Sequence, residues 1–361
     1  MRIALDASCL ASNGRGFARY VQALLLGLAA RLPAEDVRLT YSDRGIRPEL
    51  IPERFRTSLR ILPPRRFHAL WRRQELVAAA KADRTDLLHF PDNAIADCRP
   101  LPAVVTLHDI SPLLMPERRL ASPLMRLYFS RAVASIRKGA RLVIADSQAS
   151  AKDLASYWAG RHPPLRIVSP GLCPLPSPAP AAPPGTPYFL FVGTLEARKN
   201  LPGLLAGFSR FKAATRLPHR LLLVGEAPRG FGVVAARMRE APGVERRGRL
   251  PDAALPALYR DATALAMVSW YEAFGFAYLE AMAYDCPVLG TTAGSGPEVI
   301  GDAGLLANPA DPEAISSALT RLATEPALRG TLVRKGRERV GRFTVEAMAE
   351  GTLAAYREAV S

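Results

Sequence analysis

The chain has 361 residues, 49% hydrophobic and 22% charged, with a formal net charge of +15. That length exceeds what one hydrophobic core ordinarily serves, so two domains are expected, and the composition excludes a disordered chain. Four scattered cysteines, Cys9, Cys98, Cys173 and Cys286, have neither a CxxC pair nor a histidine at ligand spacing, which excludes a disulfide framework and a zinc site.

Met1-Arg2 runs straight into Ile3–Asp6, too short an apolar run for a signal peptide, and no stretch approaches the ~20 apolar residues of a membrane span. The expected location is therefore cytoplasmic. After the first apolar run comes a helical pattern from about Phe17 to Arg31. Further apolar runs lie at Asp86–Phe90, Ala103–Leu107 and Arg141–Ala145, with helix-like segments between them. Residues 174–187 read PLPSPAPAAPPGTP, seven prolines in fourteen residues, a composition that cannot be helix interior or central strand. This stiff linker separates a first domain, 1–173, from a second, 188–342, where apolar runs recur at Tyr188–Val192, Arg220–Val224, Ala264–Val268 and Pro287–Gly290. Short Val-, Leu- and Ile-rich runs alternating with helical segments predict parallel sheets covered on both faces. The fold class is α/β, two Rossmann-like doubly wound domains facing across a cleft, with ligands beyond the strands' carboxyl ends. The helical tail from 343 to 361 either completes the second domain or packs back on the first.

Five segments carry candidate chemistry. After the run ending at Val192 come Gly193, Thr194, Arg198 and Lys199, then a helix start with Asn200 as N-cap and Pro202 in its first turn. Free N–H groups and two cations there suit a diphosphate, or equally a solvated basic turn. Glu272 and Glu280 bracket Phe274, Gly275 and Phe276 at a second strand-to-helix junction; a carboxylate there suits vicinal hydroxyls, or is a helix-start charge and a solvated helical one. The loop after the first strand, Ser12-Asn13-Gly14-Arg15-Gly16, is a partial phosphate cradle lacking a third glycine. His108 and Asp109 end a strand, where a histidine can donate to a sugar hydroxyl. Gly294-Ser295-Gly296-Pro297-Glu298 reads as a helix cap or a pyrophosphate loop.

Charge is uneven. Residues 1–175 hold 27 Lys and Arg against 15 Asp and Glu, whereas 176–361 hold 21 against 18. A basic first half fits an anionic partner such as phospholipid headgroups or a phosphorylated acceptor, and equally a solubilising surface. Zinc-finger spacing, RNP-type aromatics and blocks of like charge are all missing, so nucleic acid is not an expected partner.

Taken together, these segments resemble the large retaining glycosyltransferase family with the GT-B fold, the glycosyl transferases group 1, which includes many mannosyltransferases of surface-polysaccharide assembly such as lipopolysaccharide. The resemblance rests on YEAFGFAYLEAMAYDCPVLGTTAGSGPEVIGDAGLL with its Glu-x7-Glu spacing, on VGTLEARKNL upstream, and more loosely on IALDAS, VTLHDISPLLMPE and RLVIADSQASAKDL. It implies that Arg198 and Lys199 hold the donor diphosphate beside Gly193 and Thr194. Glu280 would accept from the ribose, and Glu272 would contact the hexose with the backbone of Phe274, Gly275 and Phe276. Glu298 lies in the donor site, His108 faces the sugar, Arg249 and Leu250 lie near the base, and Gly14 and Gly16 admit phosphates or acceptor. Relatives more often have Gly-Phe-Gly-Leu-Pro where this chain has Ala273–Tyr278, so Phe276 and Tyr278 are expected to reshape the donor pocket.

The implied reaction is retaining transfer of a hexose, mannose from GDP-mannose before UDP- or dTDP-sugars, to a glycan or polyprenyl-diphosphate-linked acceptor. It would run in the cytoplasm or on the inner membrane face. With no Asp-x-Asp pair, no metal and no other cofactor is expected. Two alternatives are a nicotinamide-dependent oxidoreductase, from the glycine loop, and a catalytically silent sugar-nucleotide-binding subunit.

Overall fold

The computed structural model describes residues 1–361 except 12–14, 43–47, 63–67, 94–97, 116–122, 179–184 and 228–240. The chain forms two compact units. One contains residues up to Cys173 together with Phe343–Ser361, and the other Pro174–Arg342.

The first unit is built on a seven-stranded parallel sheet in the order β3-β2-β1-β4-β5-β6-β7. Its strands are β1 (Ile3–Asp6), β2 (Val37–Ser42), β3 (Leu59–Leu62), β4 (Leu87–Phe90), β5 (Ala103–Thr106), β6 (Leu142–Ala145) and β7 (Leu165–Ile167). The central strands β1, β4, β5 and β6 are buried throughout, as their largely apolar runs require when helices cover both faces; Asp6, His89 and Thr106 are their buried polar members. Val105, Val133, Ile136, Val143, Leu154 and Trp158 belong to one buried core between this sheet and the helices Pro123–Gly139 and Gln148–Trp158.

The helix Val345–Val360 packs on this same unit. Thr344 caps it, its Oγ1 accepting from Ala347 N at 3.1 Å. Met348, Thr352, Ala355, Tyr356 and Ala359, spaced by three and four, face inward. The approach to the helix Arg15–Ala29 is so close that a Cβ on Gly27 would stand 2.2 Å from the Val345 carbonyl oxygen, so only glycine fits there. Arg166 grips Glu358 with two bonds of 2.7 and 2.6 Å. Inside, the Tyr356 hydroxyl lies 2.6 Å from His89 Nδ1, His89 Nε2 lies 2.9 Å from Thr106 Oγ1, and Thr106 Oγ1 lies 2.8 Å from the Tyr20 hydroxyl. Burial, aided by the nearby His108, pushes the His89 pKa down to about 3, so this imidazole is neutral at pH 7. Tyr356→Phe strands a buried ring nitrogen and is expected to cost about 1–3 kcal/mol in urea denaturation. An unchanged midpoint would mean that the hydroxyl contributes nothing to docking this helix.

The second unit holds a six-stranded parallel sheet in the order β10-β9-β8-β11-β12-β13. The strands are β8 (Tyr188–Val192), β9 (Arg220–Val224), β10 (Val244–Gly248), β11 (Ala264–Ala266), β12 (Val288–Thr291) and β13 (Gly304–Ala307). Phe189, Phe208, Phe211 and His219 pack together beneath it, with Phe189 and His219 stacked at 5.2 Å. The sheet reverses its winding between β8 and β11, and the first reverses between β1 and β4. In open sheets of this kind, the carboxyl side of that switch point is where ligands bind. Among the described residues no helix is long and apolar enough to cross a membrane.

Candidate active site

In the second unit the switch point carries an ionic cluster. Beyond β8, a single 3-10 turn, Ala197–Lys199, presents Arg198 and Lys199. Beyond β11, the loop Val268–Phe274 presents Glu272, only 3% exposed. Lys199 Nζ donates to both carboxylate oxygens, at 2.7 Å to Oε1 and 3.0 Å to Oε2. Arg198 lies 3.4 Å from Oε2, donates to the Tyr271 carbonyl at 2.9 Å, and donates to Glu196 at 2.8 Å. Ser269 Oγ donates to Oε1 at 2.5 Å. Burial alone would raise the Glu272 pKa; Lys199 and Arg198 outweigh it, so the group is held below the usual carboxylate range and stays ionised. The sequence presents these residues as separate diphosphate and sugar contacts, whereas in the structure they are one cluster of two cations and two carboxylates.

The scaffold around the cluster is closely packed and tied together by hydrogen bonds. Gly193 and Gly225, ending neighbouring strands, cross so tightly that a Cβ on Gly225 would stand 1.8 Å from the Gly193 carbonyl oxygen, and Gly225 itself lies at φ 152°. Asn200, expected as an N-cap, sits at φ 53° and makes no capping bond; its amide donates instead to the carbonyls of Val268 (3.0 Å) and Pro309 (2.7 Å), tying the β8 turn to the β11 loop. Ser295 likewise makes no side-chain cap. Its hydroxyl donates to the carbonyls of Glu272 (3.0 Å) and Phe274 (2.9 Å), so the Gly294–Glu298 segment clasps the glutamate loop before a helix of only five residues, Gly296–Ile300. Glu298 is half-buried at that helix start.

The remaining second-unit residues fall as follows. Gly275, at φ 94°, precedes the helix Phe276–Ala283, and the Phe274 and Phe276 rings meet edge to face at 5.2 Å. Tyr278 is fully buried, its hydroxyl donating to the Met267 carbonyl at 2.8 Å, so the core absorbs its bulk. Glu280 is no solvated helical carboxylate. It is 2% exposed and accepts from the Tyr259 hydroxyl at 2.9 Å. Arg249 is exposed and bonds Glu226 at 3.1 Å, with Leu250 half-buried beside it; Thr194 is exposed.

In the first unit, His108 follows β5. Its Nδ1 lies 2.6 Å from Asp146 Oδ2, beyond β6, and its Nε2 lies 3.1 Å from the Pro91 carbonyl, beyond β4. Phe17 and Tyr20 pack edge-on against the ring at 4.8 and 4.7 Å. Burial alone would lower the His108 pKa, but Asp146, the Pro91 carbonyl and Asp92 together raise it above the ordinary histidine value. With an acceptor at each ring nitrogen, the donor role expected of this side chain is already taken within the unit, and what it offers is a buried positive charge. Gly16 is exposed in the first helical turn, and a Cβ there would meet nothing within 4 Å. Gly14 lies outside the described residues. Sequence reading missed Asp146, Ser269, Glu196 and Tyr259. Asp146 was within reach, since it ends a strand in the quoted RLVIADSQAS just as His108 ends its own.

Comparison with known proteins agrees with this architecture. Residues 14–173 match the model described as Glycosyltransferase Family 4, and residues 186–325 the one described as glycosyl transferases group 1. The chain is similar to O-antigen chain mannosyltransferase B of Escherichia coli, 29% identical over 95% of this chain and 96% of that protein. Among solved structures, HepE of Anabaena in complex with UDP and glucose superposes with a TM-score of 0.74 at 18% identity, covering 99% of each chain. Sucrose-phosphate synthase of Thermosynechococcus elongatus does so with a TM-score of 0.73 at 22% identity, over 99% of this chain and 98% of that one. With both units matched in chain order and both sheets wound alike, the chain belongs to the group 1 glycosyltransferases and has the GT-B fold.

Proposed function

We propose that the chain is a retaining, metal-independent hexosyltransferase that moves mannose from GDP-mannose to a glycan or polyprenyl-diphosphate-linked acceptor. The observation that carries the reaction is the Arg198–Lys199–Glu272 cluster at the switch point. The choice of mannose is supported by similarity along nearly the whole chain to an O-antigen mannosyltransferase. Two cations already desolvated and oriented by Glu272 meet the donor diphosphate without reorganising. As the bond from sugar C1 to the diphosphate oxygen breaks, they stabilise the charge that grows on the leaving group. The acceptor oxygen then bonds C1 from the face the diphosphate leaves, and its proton passes to a diphosphate oxygen. Glu272 touches the hexose, Glu280 the ribose, and Arg249 with Leu250 the base. Fixed cations stand where a divalent ion would otherwise act.

The first test is thermal shift with GDP, UDP, dTDP and their sugars. GDP and GDP-mannose are expected to stabilise the protein, by roughly 2.7 kcal/mol at about a hundred times the dissociation constant. A shift with UDP alone would replace the donor. Transfer is expected to survive chelator; loss with chelator and return with manganese would overturn metal independence.

A further inference from the structure

We infer that Tyr259 is a positioning residue for nucleotide recognition: its hydroxyl fixes the Glu280 carboxylate in the orientation that receives the donor's ribose. This rests on the reading of Glu280 as the ribose contact and not on the choice of base, since GDP and UDP share that sugar. Glu280 is 2% exposed and Tyr259 1%. They lie on different helices, Phe276–Ala283 and Leu255–Asp261, and the hydroxyl donates to Glu280 Oε2 at 2.9 Å. A buried tyrosine hydroxyl needs an acceptor, and main-chain carbonyls are an ordinary supply. Tyr188, Tyr278 and Tyr284 of the same unit use them, donating to the carbonyls of Leu258, Met267 and Pro176 at 2.9, 2.8 and 2.7 Å. Tyr259 instead gives its hydroxyl to a side chain 21 positions away, and that side chain is the glutamate of the donor site.

Tyr259 is itself held from two directions. The carbonyl of its neighbour Leu258 accepts from Tyr188, which ties the helix Leu255–Asp261 to the start of β8. Its ring lies nearly parallel to that of Tyr284, at 6.0 Å and 12°, and the Tyr284 hydroxyl is anchored on Pro176. A hydroxyl held in this way controls what the carboxylate can do. Glutamate turns about several side-chain bonds, whereas vicinal hydroxyls need both the reach and the plane of the carboxylate to be set. The bond to Oε2 sets them before the nucleotide arrives, so binding does not have to order the side chain. A carboxylate offers about four acceptor sites, so one bond to Tyr259 is compatible with further bonds to ribose hydroxyls.

The test compares GDP with 2′,3′-dideoxy-GDP, and UDP with its dideoxy analogue, by calorimetric titration of the full chain. The wild type is expected to prefer the ribonucleotide by about ten- to a hundredfold, the worth of hydrogen bonds to a charged acceptor. Tyr259→Phe keeps the ring and is expected to reduce that preference by about tenfold or abolish it, while affinity for the dideoxy nucleotide stays unchanged. Tyr284→Phe is expected to leave the preference as it is. In Glu280→Gln, which also removes the buried charge, adding Tyr259→Phe is expected to lower the preference no further, because both changes act through one contact. A preference that needs Glu280 but survives Tyr259→Phe would overturn this inference alone. A wild type without the preference, or a preference that survives Glu280→Gln, would overturn the ribose reading and this inference with it. Equal losses of ribo- and dideoxynucleotide affinity in Tyr259→Phe, or the same loss of preference in Tyr284→Phe, would leave the hydroxyl a packing role only and also overturn the inference.

Discussion

Lys199→Ala is expected to lose about 3–5 kcal/mol of stability as well as transfer, because it leaves Glu272 buried with its nearest cation gone. The transfer rate is expected to fall by about 10²–10³-fold, the usual cost of removing one group that stabilises transition-state charge. The pH dependence separates the two effects. In the wild type the Glu272 pKa is depressed, so its contribution is complete above the unfolded carboxylate value of about 4.3 and is lost as pH falls through the lower folded value. In the variant burial weighs more heavily and the pKa rises, so the carboxyl takes up a proton sooner. The stability deficit is then largest at neutral pH and shrinks toward pH 4.5. Urea denaturation at both pH values reads this out. Parallel curves would mean that Lys199 does not serve to balance Glu272.

Asp146→Asn is expected to have a comparable effect with the opposite pH sense. His108 has a raised pKa, so its pairing contributes fully below the unfolded histidine value of about 6.5 and is lost as pH rises through the folded value. In the variant the Pro91 carbonyl and Asp92 remain, but the largest opposing influence is gone, so burial weighs more heavily and the ring resists protonation more than in the wild type. The deficit is expected to be about 3 kcal/mol or more near pH 6, narrowing as pH rises. Imidazole proton resonances provide the direct check. In the wild type one ring should titrate above the usual range while His89 stays neutral well below it, since its value is about 3. In Asp146→Asn the high titration should disappear. If it stays, another group holds the charge on His108.

These two clusters also mark how far a sequence can be read. The central strands announce themselves: Tyr188–Val192 and Arg220–Val224 were placed to the residue, and β4, β5 and β6 to within one, because a strand covered on both faces is apolar along most of its length. Missing from the sequence reading were β2, β3, β7, β10 and β13. They lie toward the sheet edges, where one side can stay polar; β10 reads Val-Glu-Arg-Arg-Gly and takes its strand form from pairing with β9 rather than from its own pattern. Arg198, Lys199 and Glu272 were legible as residue types beyond strand ends, and Glu280 as a carboxylate on the helix that follows. Their pairing was not, since Lys199 and Glu272 are 73 positions apart and only the order of β8 and β11 in the sheet joins them. Asn200 misled for a related reason. Its helix-capping signal is local, and two distant carbonyls outcompete it.

The helix Val345–Val360 also bears on how the protein is made. Its docking groove belongs to a unit whose other residues are synthesised first, and the whole second unit lies between them in the chain. During translation the second unit therefore has all of its residues before the first does, and the first must wait with the seat for Tyr356 and the Gly27 contact exposed until the last helix leaves the ribosome. Cutting the chain at residue 342 would leave the later-made unit entire and the earlier-made one unfinished.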